Sequence, residues 1–121
     1  MSVAIALLIG IFGIQDSSAQ APGFKRVELQ RHDLPVKDHE AVTARGEFQP
    51  GAVVARHSHP GEEIGYVVEG ELTLEIDGKP PQKLKAGEAF FIPAGTVHAA
   101  KNQAKTGATV VSTYLVEKGK P

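Results

Sequence analysis

Two histidines, His57 and His59, stand two residues apart in a run of β-type residues, and a carboxylate, Glu63, follows four residues later across a Pro60-Gly61 corner. Alternate side chains of a strand project to one face, so an extended run over residues 53–59 predicts both imidazoles aimed into the same space. Two imidazoles and a carboxylate converging on one point are a donor set for a divalent metal. A third histidine, His98, follows a second corner at Pro93-Ala94-Gly95. Such a nitrogen-rich set suits Fe, Mn, Ni, Zn, Co or Cu, whereas Ca or Mg would want more oxygen. Three histidines and one carboxylate leave positions open on an ion that takes six ligands, and open positions are what substrate binding or chemistry requires. Glu62 is a second carboxylate beside Glu63, and on a strand the two neighbours face opposite sides.

These side chains have to be held by short strands. Residues 24–34 carry Val27 and Leu29 against Lys25, Arg26, Glu28 and Gln30, which predicts a half-buried first strand. Residues 40–48, 53–59 and 64–68 follow as further strands, with Pro50-Gly51 as a turn. The alternation in residues 71–77 is clean, with Leu72, Leu74 and Ile76 on one face and Glu71, Thr73, Glu75 and Asp77 on the other, and Asp77-Gly78 signals a hairpin. Pro80-Pro81 excludes a central strand there. Residues 83–87, 89–92, 96–100 and 108–116 complete the pattern. No segment keeps helical periodicity for ten residues, and many short strands with Gly and Pro corners predict an all-β barrel or sandwich in one domain.

The chain of 121 residues has 13 basic and 14 acidic residues and a net charge of −1, with neither sign gathered into a block. That excludes a nucleic-acid groove and a polybasic membrane patch. There is no cysteine, so thiolate ligands, disulfides and cysteine nucleophiles are excluded too. Residues 3–14 form an apolar run broken only by Gly10 and Gly13, followed by Asp16-Ser17-Ser18-Ala19. Twelve residues are too few to span a bilayer but suit a secretory signal, with cleavage expected after Ala19. Residues 1–19 are thus read as a signal peptide and 20–121 as the mature domain, periplasmic or secreted, with no membrane insertion once the signal is removed. No Lys or Arg precedes the apolar run, which leads to the expectation of a few further residues upstream.

The segments 51–70 and 87–102 together resemble the two motifs of the cupin superfamily. The first motif is a Gly, five residues, His-x-His, three residues, Glu, six residues and Gly, matched by Gly51, His57, His59, Glu63 and Gly70. The second is matched by Gly87, Pro93, Gly95, His98 and Asn102. The resemblance implies a cupin-type double-stranded β-helix, a jelly-roll barrel, of the small, single-domain, exported bacterial kind. It implies that His57, His59, Glu63 and His98 hold one divalent metal inside the barrel, that Glu63 rather than Glu62 is the carboxylate ligand, and that Asn102 is structural. It implies a small-molecule substrate or ligand and a homodimer joined through edge strands. Dioxygenase-type oxidation is the commonest activity for such a ligand set, while a non-enzymatic small-ligand or metal-binding cupin is the alternative.

Other polar side chains are weighed against ordinary structural roles. Tyr66 and Tyr114 offer hydroxyls, and Arg45 and Arg56 offer a clamp for a carboxylate, but each reads better as wall, core or surface. Arg56, between Ala55 and His57, is expected to point away from the histidines. Phe90, Phe91 and Ile92 are expected to line the barrel. His32 and His39 lie in polar surroundings and are expected to be solvated loop residues.

Overall fold

The computed structural model describes residues 21–120. The expected signal peptide, residues 1–19, lies outside the described residues. Among the described residues there are nine strands and no helix: β1 Phe24–Asp33, β2 His39–Phe48, β3 Val53–His57, β4 Glu62–Glu69, β5 Glu71–Ile76, β6 Gln82–Lys85, β7 Ala89–Ile92, β8 His98–Lys101 and β9 Ala108–Glu117. They form a five-stranded sheet in the order β1-β2-β9-β4-β7 and a four-stranded sheet in the order β3-β8-β5-β6. Every pairing is antiparallel. The described residues are therefore all-β, in the two-sheet jelly-roll arrangement that was expected.

Period-two alternation decides which residues fill the space between the sheets. From the five-stranded sheet come Phe48, Val67, Phe90, Ile92 and Val110; from the four-stranded sheet come Val54, Leu72, Leu74 and Ile76, all buried. The clean alternation of β5 is found as expected, although Thr73 on its other face is also buried and donates to Gln103 Oε1 at 3.1 Å. Alternation also corrects one expectation: Phe90 and Ile92 line the barrel, but Phe91 between them must face out and is 52% exposed. It joins Ile64, Tyr66 and Val68 of β4, about half exposed, as an apolar outer face at the β4–β7 edge.

β1 is likewise a strand where one was expected, but its faces are reversed. Phe24, Arg26 and Glu28 pair with Phe48, Gly46 and Ala44, which point into the barrel, and Phe24 packs on Phe48 with ring centroids 4.7 Å apart. Val27 and Leu29 therefore face outward, and Leu29 is 47% exposed. The register shifts between Glu28 and Gln30, a bulge at Leu29. One extra residue changes the parity of a strand, so beyond the bulge Arg31 and Asp33 take the inward positions opposite Val42 and Glu40. His32 and His39 lie on strands β1 and β2, not in a loop.

Asn102 closes the end of the barrel opposite the histidines. It is 1% exposed, its amide donates to the carbonyls of Phe48 (3.1 Å) and Thr106 (2.8 Å), and its Oδ1 accepts from Ala104 N (3.0 Å). Its backbone is tied to Gly51 and Ala52 at 2.8 and 2.9 Å. A buried amide with its hydrogen bonds filled is a joint, and this one links the ends of the two histidine-bearing segments.

Candidate metal centre

The three histidines come together inside the barrel, and each reaches the site by a different backbone route. His57 ends β3, where it pairs with His98 at the start of β8. Between Val54 and His57 the register shifts, and this second bulge moves the inward face from Val54 to His57. Arg56 points outward as expected and pairs with Asp77 at 2.8 Å. His59 lies beyond the strand, because β3 ends at His57. Its position is held instead by its carbonyl, which accepts from Gly95 N at 2.7 Å and so ties the first histidine segment to the Pro93–Gly95 corner. Gly95 meets that contact at φ +72°, a left-handed conformation that glycine adopts without steric cost. The strand at residues 96–100 is shorter than expected and begins at His98 itself.

One nitrogen from each of His57, His59 and His98 lies within 4.8 Å of the others, a spacing one divalent ion can bridge. The ring centroids are 4.3 to 5.0 Å apart. Glu63, the second residue of β4, brings Oε1 to 3.3 Å from His59 Nε2 and 3.7 Å from His98 Nε2. Its other oxygen accepts from Ser112 Oγ at 2.8 Å. Glu62 faces the other side. The four residues expected at the site are thus brought together, with Glu63 against two of the three imidazoles.

The ring tautomers follow from the backbone. His57 Nδ1 lies 2.6 Å from the Ala55 carbonyl and His98 Nδ1 lies 2.9 Å from the Thr96 carbonyl. A carbonyl only accepts, so Nδ1 carries the proton in both rings and Nε2 keeps its lone pair. Metal-ligating histidines are oriented in this way. His59 Nε2 is buried and forms no aligned hydrogen bond, even though Glu63 Oε1 is near. Orphaned nitrogens of this kind are costly unless something occupies them.

Electrostatics favour the metal-ready protonation states. Burial pushes the His98 imidazole below its usual value, an effect only partly offset by the Thr96 carbonyl and Glu63. Burial would raise Glu63, but the His59 and Ser112 contacts outweigh it and leave the carboxyl below its usual range. Both groups therefore hold fewer protons when folded than unfolded, and stability contributed this way is present at high pH and lost on acidification. The metal-free protein is expected to melt progressively lower below pH 6.5, the ordinary histidine value, and again below 4.5, the ordinary carboxyl value. Thermal denaturation of chelator-treated protein from pH 8 to pH 4 measures this, and a melting temperature that rises on acidification would contradict it.

Two further residues shape the site. Ser112 and Tyr114 occupy inward positions of β9, with Ser112 opposite Gly65 and Tyr114 opposite Glu63. The Tyr114 ring lies 5.1 Å from that of His59. Burial, and secondarily Glu63, raises the Tyr114 phenol well above its usual value, so it remains protonated. Tyr114 is thus part of the wall. Ser112 is marked in the sequence only by a hydroxyl in phase with Ala108, Val110 and Val116, a polar position on an otherwise apolar face.

Comparison with known proteins agrees with this architecture. The family model described as "Cupin domain" matches residues 44–114. The chain is 34% identical over 108 residues to germin-like protein 3-5 of Oryza sativa subsp. japonica, an alignment covering 82% of this chain and 48% of that protein. The chain thus spans about half the length of that relative. Among solved structures it is similar to an RmlC-like cupin from Shewanella frigidimarina NCIMB 400, with TM-score 0.63 and 28% identity over 80% of this chain and 79% of that one. It is also similar to an oxalate oxidase, with TM-score 0.65 and 32% identity over 79% of this chain and 53% of that one.

Proposed function

The chain belongs to the cupin family, and from that premise we propose that it holds one divalent transition metal through His57, His59, Glu63 and His98 and serves as an oxygenase-type enzyme on a small molecule. The observation that carries the reading is the convergence of three imidazoles to within 4.8 Å of one another, with the buried Nε2 of His59 making no hydrogen bond. The donor set fits a borderline divalent ion and not Ca or Mg. When bound, such an ion supplies a Lewis-acid or redox centre with positions open to a ligand.

The chain's own residues supply the rest. The Ala55 and Thr96 carbonyls fix the imidazole tautomers, Ser112 orients Glu63, and Tyr114 presents a protonated hydroxyl side chain beside His59. Leu72, Leu74, Ile92 and Val110 make the remaining wall of a cavity of about 70 Å³ apolar. The likeness to an oxalate oxidase supports oxidative chemistry. A cavity this small favours the second reading, a non-enzymatic cupin that sequesters a metal or small ligand, if the metal proves inert toward dioxygen.

The mature protein on this reading is periplasmic or secreted, released by cleavage after Ala19. It is a homodimer covered over Ile64, Tyr66, Val68 and Phe91, since contiguous exposed apolar side chains at a sheet edge favour a second copy. One preparation tests the whole proposal: exported protein purified without added metal, subjected to elemental analysis, amino-terminal sequencing and sedimentation. About one transition-metal ion per chain, a start at Gln20 and the mass of a dimer are expected. Metal content undiminished in His57→Ala would sink the assigned site, an intact Met1 the export reading, and a monomer the dimer.

A further inference from the structure

Beside the histidines, on the side of β1 and β2, lies a recess of about 230 Å³ whose wall includes His59 and Tyr114. Three cations and one carboxylate face it: Arg26, Arg31, Lys120 and Glu40. Two of the cations are already engaged. Arg31 binds Glu28 at 2.6 Å and also Glu40, and Lys120 pairs with Glu117 at 2.5 Å. Among the described residues no carboxylate lies within 4.0 Å of Arg26. Its guanidinium lies instead 5.4 Å from the centre of the Tyr114 ring and within reach of the Tyr114 hydroxyl, a neutral neighbour that leaves the charge of Arg26 uncompensated. Arg26 also lines the internal cavity, so it stands on the partition between recess and metal centre. Tyr114, whose ring also lies 5.1 Å from that of His59, connects Arg26 to the cluster.

We propose that Arg26 is the anion-recognition residue of this protein, and that it takes the carboxylate of a small anionic ligand from the recess and presents the other end to the histidine cluster. The inference rests on the metal reading only for where the ligand's second end goes. A half-buried guanidinium with no carboxylate partner among the described residues matches a carboxylate in a bidentate fork. With Arg31 and Lys120 paired, the charge left facing the recess is that of Arg26, which favours approach of an anion over a neutral or cationic molecule. Size adds a limit. The cavity beside the histidines, about 70 Å³, is smaller than the recess of about 230 Å³, so the body of the ligand stays in the recess and only its reacting end passes Tyr114.

The test uses acetate and its neutral analogue acetamide as probes, with binding followed by the backbone amide resonances of Val42 and Val116, which line the recess. It is run on metal-free and on Zn²⁺-treated protein. Acetate is expected to bind more tightly than acetamide, and Arg26→Gln to weaken acetate about tenfold to a hundredfold, the scale of a lost charge-assisted hydrogen bond. Acetamide binding should be unchanged, and Arg26→Lys should recover part of the loss. Arg31→Gln, which removes a cation already paired, should weaken acetate less than about threefold. Acetate binding no tighter than acetamide in the unaltered protein, or unaffected by Arg26→Gln, would overturn the proposal whether or not Zn²⁺ is taken up. Arg26-dependent acetate binding in a protein that takes up no Zn²⁺ would instead uphold Arg26 and remove the metal reading.

Discussion

Gly61→Ala is expected to lower the melting temperature by roughly 10–20 °C or to abolish soluble expression. A Cβ on residue 61 would stand 1.8 Å from the Leu115 carbonyl oxygen and 2.7 Å from its carbon. Those are backbone atoms of β9, so no side-chain rotation relieves the clash. Glu62 and Glu63 pair with Leu115 and Tyr114 immediately afterwards, and the displaced strand would carry Glu63 away from His59 and His98. Overpacking of side chains costs about 1–3 kcal/mol; a backbone collision should exceed that, and each kcal/mol moves the melting temperature by about 4–8 °C in a domain of this size. Gly51→Ala is the control. Its Cβ would meet nothing within 4 Å, but its φ of +83° costs an L-residue roughly 1–2 kcal/mol. Circular dichroism melts of the two variants should therefore differ clearly, and a Gly61→Ala protein as stable as Gly51→Ala would show that β4 can shift off β9 freely.

Glu63→Gln is expected to weaken metal binding by about a hundredfold or more while leaving the metal-free fold nearly intact. Loss of an outer partner of a metal ligand typically costs about 10–100-fold, and Glu63 is placed to be a ligand itself, with Oε1 near two imidazoles and Oε2 on Ser112. Glutamine keeps the shape and can still accept from Ser112, but it removes the negative charge that a divalent ion needs beside three neutral imidazoles. The fold should tolerate the change because glutamine keeps the shape and the Ser112 hydrogen bond, and it removes a buried anion instead of leaving one unpaired. Competition with a chelator measures the affinity and a thermal melt measures the fold. Unaltered metal affinity would remove Glu63 from the site, whereas a large loss of metal-free stability would make its role structural.

These two outcomes bear on different properties of the chain, and the sequence revealed them unequally. His57, His59, Glu63 and His98 are readable because their spacing relative to Gly and Pro corners matches a family motif whose members place such residues at one point. The β5 alternation is readable because both its faces have a definite environment. Gly61 reads only as part of a corner, since its need for a missing Cβ comes from Leu115, 54 positions along the chain. β1 misleads, because Val27 and Leu29 supply the apolar face on paper while Phe24 and Arg26 supply the inward one in the barrel.

By itself the sequence determined the all-β class, the corners and the identity of the residues that converge on the site, because these depend on local alternation and on spacing within one motif. Tertiary structure alone decided that His59 is held by the Gly95 amide instead of by a strand, that bulges in β1 and β3 exchange the faces of their strands, and that Ser112 and Arg26 stand beside the histidines. The physical reason is the parity of a β-strand. One inserted residue reverses every side chain beyond it, and where that residue goes is set by the partner strand across the sheet, which the local sequence does not contain.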